Sequence, residues 1–397
     1  MAETQTRPNI VPEAQLRFTY LKVQNWRNFV DLNLKLQKRC FLVGPNASGK
    51  SNFLDIFRFL RDIVDIGGGF QEAIRKRGGV KQIRCLAARR YPEIEIEIWL
   101  GTDSIQDLWQ YQVAFTQDNN RNPTITKERV LRNKQILLNR PNDSDKSDPE
   151  QKRQTYLEQL NVNKEFRQLA DFFRTLKYLH LVPQLVRDPD RSVGRKNDPY
   201  GGDFLEQIAR TPRNAQVTRL KKVEEALRAA VPQLLSIRLE KDFRGTPHFK
   251  VKYQHWRSKG ALQSERDLSD GTLRLTGLLW AVLDGRGPLL LEEPELSLHP
   301  GIVTAIPALF AKIQLKFDRQ IFISTHSSDL LSDPGIGLDE VVLFNPDPEG
   351  TKAYLAKDMK EIPELINSGV NLSELIASTT RPKKVEQLTL ALFSDER

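Results

Sequence analysis

One stretch near the start of the chain, residues 44–51, constrains the fold more than any other. It reads Gly-Pro-Asn-Ala-Ser-Gly-Lys-Ser and fits G-x-x-x-x-G-K-[ST], the pattern of a phosphate-binding loop. The residues before it, 40–43, form an apolar run that predicts a buried strand, and apolar residues after Ser51 recur at the spacing of one helical face. This context of strand, turn and helix favours a phosphate site over an ordinary glycine turn.

Each fixed position of this motif has a chemical role at a phosphate site. A helix N-terminus directs backbone N–H groups and the positive end of the helix dipole toward one point. Gly44 and Gly49 allow the backbone to approach phosphate oxygens closely. Lys50 supplies charge for the β- and γ-phosphates, and Ser51 supplies a hydroxyl ligand for Mg²⁺. The predicted phosphate-binding residues are Gly44, Pro45, Asn46, Ala47, Ser48, Gly49, Lys50 and Ser51.

Composition indicates the class of partner and the compartment. Of the 397 residues, 60 are Lys or Arg and 51 are Asp or Glu, which gives a net charge of +9. Such an excess suits a polyanionic partner, although it also serves solubility alone. The two cysteines, Cys40 and Cys85, provide neither a disulfide framework nor a metal-ligand cluster. No apolar run reaches the about 18 residues that a membrane span needs, and no signal peptide is recognisable, so a cytoplasmic protein without a membrane partner is expected.

The order of predicted elements places nucleotide-fold elements at both ends of the chain. Residues 93–99 and 109–115 alternate strictly, and 130–138 reads as a hairpin that turns near Asn133, so an antiparallel sheet is expected after the first helix. Because neither end can form a core alone, both are expected to contribute to one sheet of an α/β fold. The later patterns predict helices at 151–176 and 215–230, strands within 233–253, alternating helices and strands at 272–283, 289–291, 302–315 and 320–324, and a last hairpin at 341–344 and 352–355.

Two carboxylates follow the apolar strand at 289–291. A strand beside the phosphate loop can deliver one carboxylate to Mg²⁺ through water, while the next residue, on the opposite side, can orient and deprotonate an attacking water. Glu292 is therefore assigned to the metal and Glu293 to the base. Adjacent glutamates are common on protein surfaces, but the apolar strand before this pair and Pro294 after it favour a functional pair.

Two further motifs stand at the ends of predicted elements. Ser269 is a good N-cap for the helix that follows, and Gly271 lets a ligand approach the helix N-terminus; a plain cap is the alternative. The wording Leu-Ser-Asp-Gly-Thr also matches the ABC-ATPase signature Leu-Ser-x-Gly. His326, within Ser-Thr-His-Ser-Ser, follows the strand at 320–324 and resembles the switch histidine that senses the γ-phosphate, although a lone histidine is usually structural.

The order and wording of these motifs resemble the ATPase heads of the SMC, RecF and OLD (overcoming lysogenization defect) group, the AAA15/AAA21-type heads. The OLD-like branch is the most similar in the stretches 25–29, 44–52, 268–272 and 292–300. The resemblance implies a P-loop NTPase in the form of a two-lobed ABC-ATPase head with an antiparallel β subdomain and a short helical insertion. Its parts would be lobe I (1–145), a helical insertion (146–230), lobe II with the signature, carboxylate pair and switch histidine (231–356), and a helical tail (357–397).

The resemblance implies ATP and Mg²⁺ as cofactors and extends the nucleotide site. Arg27 or Asn28 would reach the nucleotide, and Asn52 would join the phosphate-loop set. In relatives a glutamine between the strands of the first lobe touches Mg²⁺. Gln82 is the candidate here, and Gln71 is equally defensible.

In this family the signature of one subunit contacts the γ-phosphate held by the other. Ser269 and Gly271 would therefore complete the partner's site in a homodimer or a higher oligomer, with the loop at 295–300 meeting the partner subunit. The residues after His326 are too few for the TOPRIM nuclease domain that OLD-like nucleases carry, since such a domain takes on the order of 100 residues. The expected function is an ATPase that controls a separate effector, a nuclease or toxin, in prokaryotic antiphage defence.

Two other functions compete with this interpretation. One is a RecF- or SMC-like DNA-binding ATPase of DNA repair, and the other is the ATPase subunit of a transporter, which the signature wording and the long gap after the phosphate loop disfavour. Nucleic acid is a further candidate partner because cations cluster in two segments, although a solvated face explains them equally well. The segments contain Arg75, Lys76, Arg77, Lys81, Arg84, Arg89 and Arg90, and then Arg210, Arg213, Arg219, Lys221 and Lys222.

Overall fold

The computed structural model describes residues 16–88, 92–192, 197–255 and 261–380, and its strands form three sheets. The predicted basic residues Arg89 and Arg90 lie outside these ranges. The strands are β1 (Arg17–Trp26), β2 (Phe29–Lys35), β3 (Arg39–Val43), β4 (Ile94–Gly101), β5 (Trp109–Gln117), β6 (Pro123–Arg132), β7 (Gln135–Arg140), β8 (Lys177–Leu179), β9 (Leu234–Lys241), β10 (Pro247–Tyr253), β11 (Ala261–Gln263), β12 (Leu289–Glu292), β13 (Ile321–Thr325), β14 (Val341–Asn345) and β15 (Lys352–Leu355).

The helices are mostly short, and the longest ones pack against the sheets. They are α1 (Lys50–Val64), α2 (Phe70–Arg75), α3 (Val80–Ile83), α4 (Asp143–Ser147), α5 (Arg167–Arg174), α6 (Pro183–Val186), α7 (Phe204–Arg210), α8 (Arg213–Ala230), α9 (Asp270–Leu283), α10 (Pro300–Val303), α11 (Ile306–Phe317), α12 (Glu361–Asn367) and α13 (Leu372–Thr380). Among the described helices, none has both the length and the apolar character that a membrane crossing requires.

A mainly parallel sheet joins the two ends of the chain. Its order is β15-β14-β3-β13-β12-β8, and only the β14–β15 pair is antiparallel. The alternating residues of β3 enter two different cores, with Cys40 and Leu42 on one face and Phe41 and Val43 on the other. A parallel sheet covered on both faces explains why β3, β12 and β13 read as continuous apolar runs. The expectation that both ends contribute to one sheet is confirmed.

An antiparallel sheet of order β2-β1-β4-β5-β6-β7 packs on α1 and forms the expected β subdomain. Aromatic side chains fill the space between the two large sheets. Phe57 of α1 lies 4.8 Å, between ring centroids, from both Phe18 of β1 and Phe322 of β13. The β6–β7 hairpin turns at Asn133 and Lys134, both with positive φ, as the sequence predicts and as a type I′ turn requires.

The helix predicted over 151–176 is wrong for its first part, because α5 begins only at Arg167. A buried ion network uses the backbone groups that such a helix would need. Arg140 donates to the carbonyls of Gln151 and Gln154, each at 2.9 Å. The Glu128 carboxylate accepts from the N–H groups at 156 and 157, so these groups are not available for helical hydrogen bonds.

The remaining elements build the second half of the head. The small sheet β11-β10-β9 packs with α7, α8 and α9 around a third core. In the tail, Leu372, Leu375 and Ile376 of α13 are buried against the same core as Leu330 and Leu331, so this part docks on its own head. The four-part division of the chain stays a prediction. The segment 146–230, predicted as a helical insertion, contributes β8 to the parallel sheet.

Candidate functional site

The phosphate loop lies between β3 and α1 at the carboxyl edge of the parallel sheet. Gly49 is the N-cap of α1 with φ 101°, and no side chain caps the N–H groups of the first turn. A side chain at Gly44 would place its Cβ 2.7 Å from the Phe344 carbonyl oxygen, so the loop has no room for one. The loop therefore presents backbone donors at a helix N-terminus, as an anion site requires.

The Lys50 side chain folds into this loop. Its Nζ donates to the carbonyl oxygens of Gly44 at 2.9 Å and Pro45 at 3.0 Å. Burial lowers the pKa of Lys50 to about 8, although the nearby Glu293 and Glu292 oppose this shift. A bound anion would replace carbonyl dipoles with a full negative charge, so the position of Lys50 favours phosphate binding.

Asn28 supports the phosphate loop from behind. Its Nδ2 donates to the carbonyl of Ser48 at 3.0 Å and to Oγ1 of Thr351 at 2.7 Å, and its Oδ1 accepts from Nδ2 of Asn52 at 2.8 Å. A Cβ on Gly49 would lie 2.1 Å from Nδ2 of Asn28, which explains the glycine. Asn28 and Asn52 thus hold the shape of the loop, and a direct contact of either with the nucleotide stays a prediction.

The predicted metal ligands meet across the loop. Oγ of Ser51, at the start of α1, donates to Oε1 of Glu292, at the end of β12, at 2.5 Å. The other oxygen, Oε2, accepts a hydrogen bond from the hydroxyl of Tyr178 on β8. Burial is the main cause that raises the pKa of Tyr178 well above its usual value, and the charge of Glu292 adds to it. The hydroxyl therefore stays protonated and donates.

Glu293 turns away from Glu292 and meets the histidine. Its φ of 45° is left-handed, and its N–H donates to the Ser324 carbonyl at 3.0 Å, which fixes this turn at the end of β12. Nε2 of His326 lies 3.2 Å from Oε1 of Glu293. This contact is the main cause that holds the pKa of Glu293 below its usual range. Adjacent carboxylates thus face different partners, as their sequence assignment predicts.

Glu295 ties the carboxylate loop to the histidine loop. Its Oε1 accepts from Oγ1 of Thr325 at 2.5 Å and from the N–H of His326 at 3.2 Å. Its Oε2 is buried without a hydrogen-bond partner, and burial raises the pKa of this carboxyl. Beyond it, Leu296 and Ser297 are exposed, so part of the loop predicted to meet a partner subunit is accessible.

The signature motif begins α9. Oγ of Ser269 caps the helix by accepting from the Thr272 N–H at 3.2 Å, and Ser269 itself is exposed. A Cβ on Gly271 would lie 2.5 Å from the Ser297 carbonyl oxygen, so the signature packs closely on the loop after the carboxylates. In the described residues, no hydrogen bond joins Ser269 to the phosphate loop of its own chain.

The glutamines and Arg27 are less central. Gln82 is exposed on α3, and the Gln71 amide donates to the carbonyls of Pro123 and Arg153. Neither lines the cavity of about 830 Å³ that Ser51 and Glu292 help to form, so a magnesium contact of Gln82 stays a prediction. Arg27 borders this cavity and a second one of about 960 Å³ beside Ala47.

Two site residues were missed by sequence reasoning, Tyr178 and His180. Tyr178 is on β8 and His180 follows this strand directly; His180 borders the same cavity as Glu292 and is a minor cause of the lowered pKa of Glu293. The available signal was the apolar stretch at 178–181 before Pro183, but a strand of three residues is too short for its pairing partner to be read from periodicity.

The residues present fit a nucleotide phosphate and Mg²⁺. Oγ of Ser48 is buried in the loop without a hydrogen-bond partner, which leaves a donor for an incoming oxygen. The Ser51 hydroxyl and the Glu292 carboxylate are hard oxygen ligands of the type that Mg²⁺ prefers. Mg²⁺ usually takes one or two protein ligands and completes its shell with substrate phosphate and water, so two such groups beside a phosphate site suffice.

One family of known proteins matches most of the chain. The model of one family, described as "AAA domain, putative AbiEii toxin, Type IV TA system", matches residues 40–333. No curated protein sequence matches the chain significantly.

Solved structures of SMC heads share the fold. The Smc head domain with an extended coiled coil, derived from Pyrococcus furiosus and bound to the C-terminal domain of ScpA, is similar with a TM-score of 0.51, 12% identity, and coverage of 88% of this chain and 100% of that one. The Smc head domain with a coiled coil and joint from Pyrococcus yayanosii has a TM-score of 0.49 and 12% identity, and the match covers 88% of this chain and 100% of that one. The SMC head domain from Thermotoga maritima has a TM-score of 0.42 and 12% identity, and the match covers 85% of this chain and 98% of that one. At such identities, the first of these structures supports the fold alone.

Proposed function

The chain belongs to this family of AAA domains, the AAA_21 family, and from that membership we propose that it is an ATP-hydrolysing, dimerising head that controls a separate effector protein. Its phosphate loop and its SMC-head fold make it a P-loop ATPase of the ABC and SMC type. Hydrolysis, dimerisation and effector control are the proposed steps beyond that statement.

One observation carries the proposal of hydrolysis. Glu292 contacts Ser51 of the phosphate loop, while the adjacent Glu293 contacts His326. Two carboxylates that face different partners thus stand at one strand end beside Lys50, and this arrangement supports one as metal ligand and the other as base. Glu293, ionised at neutral pH, is suited to accept a proton from an attacking water, and His326 is suited to hold Glu293 in place.

The cofactors are assigned to the two cavities beside the loop. Ser51 and Glu292 would hold Mg²⁺, which when bound neutralises charge on the phosphates. Lys50 and the N-terminus of α1 bind and orient the phosphate groups. The nucleoside fits the cavity of about 960 Å³ that Arg27, Ala47 and the turn at 346–350 line.

Dimerisation is supported by the signature serine, Ser269, which makes no hydrogen bond to the phosphate loop of its own chain in the described residues. Ser269 is exposed, and the half-buried Gly271 lies beside the exposed Ser297, so this end of the signature helix is accessible to a second subunit. We place them against the γ-phosphate of the partner's nucleotide, which gives two composite sites in a two-fold dimer.

We propose the OLD-like branch as the finer placement of this head. The family's description, a putative toxin and a type IV toxin–antitoxin system, supports a toxin–antitoxin setting, and we extend that setting to control of an effector in antiphage defence. The effector would be a nuclease or toxin on a separate chain, and the nucleotide state would decide whether the effector is restrained.

The deciding experiment co-expresses the chain with the product of the neighbouring gene. We expect that product alone to arrest growth and the wild-type chain to prevent the arrest. Lys50→Ala, which should weaken nucleotide binding, is expected to fail to prevent it. Lys312→Ala, at an exposed lysine on α11, is the matched control and should protect like wild type. Equal protection by Lys50→Ala would contradict nucleotide-dependent control.

A specific observation favours a second candidate, a nucleic-acid-binding ATPase. The outer face of the β9–β10 hairpin carries Arg238 directly opposite Lys250, with Lys252 two residues further along. Like charges opposite each other in a sheet are destabilising, and no carboxylate of the described residues lies within 4.0 Å of these three. At the hairpin tip, Phe243 is 92% exposed. Cations that track a backbone and an aromatic for stacking are the elements of a single-strand binding surface.

The basic segments named from sequence are less suited to that role. Arg77 is buried and pairs with Asp55 and Asp62, and Arg75 pairs with Glu72. In the second segment Arg219 pairs with Asp284 at 2.5 Å.

Fluorescence anisotropy with single-stranded DNA tests this candidate. Binding should weaken steeply between about 50 and about 200 mM salt, and Lys250→Glu and Phe243→Ala should each reduce it. The control, Lys312→Glu, leaves the hairpin intact and should bind like wild type. Absence of binding at low salt with ATP present would remove the candidate.

A further inference from the structure

Tyr178 gives the metal carboxylate a second, separate hydrogen-bond partner. It lies on β8 beside β12, in register with Leu290, two residues before Glu292. Its hydroxyl donates to Oε2 of Glu292, while Oε1 accepts from Ser51 at 2.5 Å. One oxygen is therefore occupied by the edge strand of the sheet, and the other is directed at the phosphate loop.

Tyr178 is itself held by the helix that follows the phosphate loop. The guanidinium carbon of Arg58 lies 4.3 Å from the centre of the Tyr178 ring, a cation–π contact. Arg58 is on α1, two turns after Ser51, and lies 3.7 Å from Asp55 on the same helix. The sheet edge and α1 thus fix the ring from both sides, and the orientation of Glu292 depends on both.

We propose that Tyr178 is a positioning residue that holds Glu292 in the conformation that binds the metal, so that magnesium affinity depends on its hydroxyl. The inference rests on the proposed Mg²⁺–ATP site. A free glutamate populates several rotamers, and a hydrogen bond to one carboxylate oxygen selects the rotamer that directs the other at Ser51. Groups that orient a metal ligand in this way typically change metal affinity about 10- to 100-fold when removed.

Selectivity between the two oxygens follows from the chemistry of the partners. Ser51 can give up its hydrogen bond to Glu292 and use its oxygen lone pairs toward a metal. Tyr178 keeps its proton and continues to donate to Oε2. We therefore expect Tyr178 to act before and after the metal binds, whereas Ser51 exchanges partners.

The test measures metal binding directly, by electron paramagnetic resonance of Mn²⁺ with saturating ATP. Glu293→Gln serves as the parent, because it should retain ATP without turning it over. Adding Tyr178→Phe should weaken Mn²⁺ affinity about 10- to 100-fold and leave ATP affinity without metal unchanged. The matched control is Tyr200→Phe, at an exposed tyrosine of the same cavity, which should leave both affinities unchanged.

A double-mutant cycle separates positioning from general packing. Arg58→Met should weaken Mn²⁺ binding in the parent but have little further effect beside Tyr178→Phe, because Arg58 acts through the ring. Equal Mn²⁺ affinity of the parent and the Tyr178→Phe variant would overturn the inference while leaving the ATPase proposal intact. If the parent bound no ATP at all, the proposed function and this inference would both be wrong.

Discussion

Nε2 of His326 lies 3.2 Å from Oε1 of Glu293, so the ends of two adjacent parallel strands are joined by a histidine–carboxylate pair. The other carboxylate, Glu292, accepts hydrogen bonds from the phosphate-loop serine, Ser51, and from Tyr178. Neighbouring side chains that alternate across a strand therefore connect to opposite walls of the site. The predictions below follow from this division and from the charges around it.

Replacing Glu293 with glutamine should separate binding from hydrolysis. The amide keeps the size of the side chain but cannot accept a proton, so turnover should fall about 10²- to 10⁴-fold while ATP affinity stays close to wild type. A phosphate-release assay measures the turnover, and calorimetry measures the ATP affinity. The assignment of Glu293 as base would be wrong if the variant turned over ATP at the wild-type rate.

The signature should act on the partner's nucleotide. Ser269→Arg places a long cation at an exposed position, so it should leave the ATP affinity of the monomer nearly intact and abolish hydrolysis. Mixing it with Lys50→Ala should restore at most one of two sites per heterodimer, about half of the wild-type rate per heterodimer and about a quarter for a randomly paired equimolar mixture. A melting curve controls for loss of the helix cap at Thr272. Turnover that is independent of protein concentration in demonstrably monomeric samples would refute a composite site.

ATP binding should weaken as pH rises through about 8. Burial lowers the pKa of Lys50 to about 8 in the free protein. Below this pH the lysine is charged and ready for phosphate; above it, binding must be coupled to uptake of a proton, which costs up to about tenfold in affinity per pH unit. Lys50→Arg stays protonated, so its affinity should show no such slope. ATP-binding curves measured from about pH 7.5 to about pH 9.5, a range that includes the pKa of Lys50, compare how the affinity of the two proteins depends on pH.

Acid should destabilise the head through a buried pair. Burial acts to raise the pKa of Asp55, but Arg77 and Arg58 outweigh it and hold the pKa below the usual value. The resulting stabilisation is complete above the unfolded pKa of about 3.9 and is lost as pH falls through the lower folded value. Asp55→Asn should therefore reduce the acid dependence of the free energy of unfolding. Urea denaturation at several pH values measures this dependence, and equal slopes for both proteins would contradict it.

The same pair predicts a large difference between two arginines of one segment. Side chains of Arg77 and Asp55 are only 5% and 11% exposed, and their contact is 2.8 Å. Arg77→Met leaves a buried carboxylate without its partner and should lower the free energy of unfolding by about 3–5 kcal/mol. Arg75→Met, at an exposed position, is the control and should hardly change the unfolding midpoint. A similar loss for both would mean that the buried pair contributes nothing special.

Local motifs explain why much of the site could be predicted from sequence. Glu292 ends a strand, and the phosphate loop, Glu293 and His326 each follow one directly. Because the carboxyl ends of parallel strands share one edge, their meeting follows from the order of the elements alone. What could not be predicted was the partner of each group. Tyr178 reaches Glu292 only because a three-residue strand pairs with β12 over a distance of more than 100 residues in sequence.

The error at 151–166 has the same origin. Its apolar spacing and composition suit a helix, but Glu128 and Arg140, both buried, take the N–H and carbonyl groups that would close helical turns. The two residues pair across β6 and β7, a tertiary contact that local sequence patterns do not reveal. The hydrogen bonds of this buried charged network outweigh helix propensity.

The position of β3 between β13 and β14 has a consequence for synthesis on the ribosome. The two strands that hydrogen-bond to β3 begin at Ile321 and Val341. Asn28, which supports the phosphate loop, cannot form its hydrogen bond to Thr351 until that residue has been synthesised. At translation rates of about 5–20 residues per second, the nascent strand remains without either neighbour for roughly 15–60 seconds. During that time both of its edges can pair with other chains. We therefore expect the nascent protein to rely on a holding chaperone, and ATP to bind only after almost all of the head has been translated.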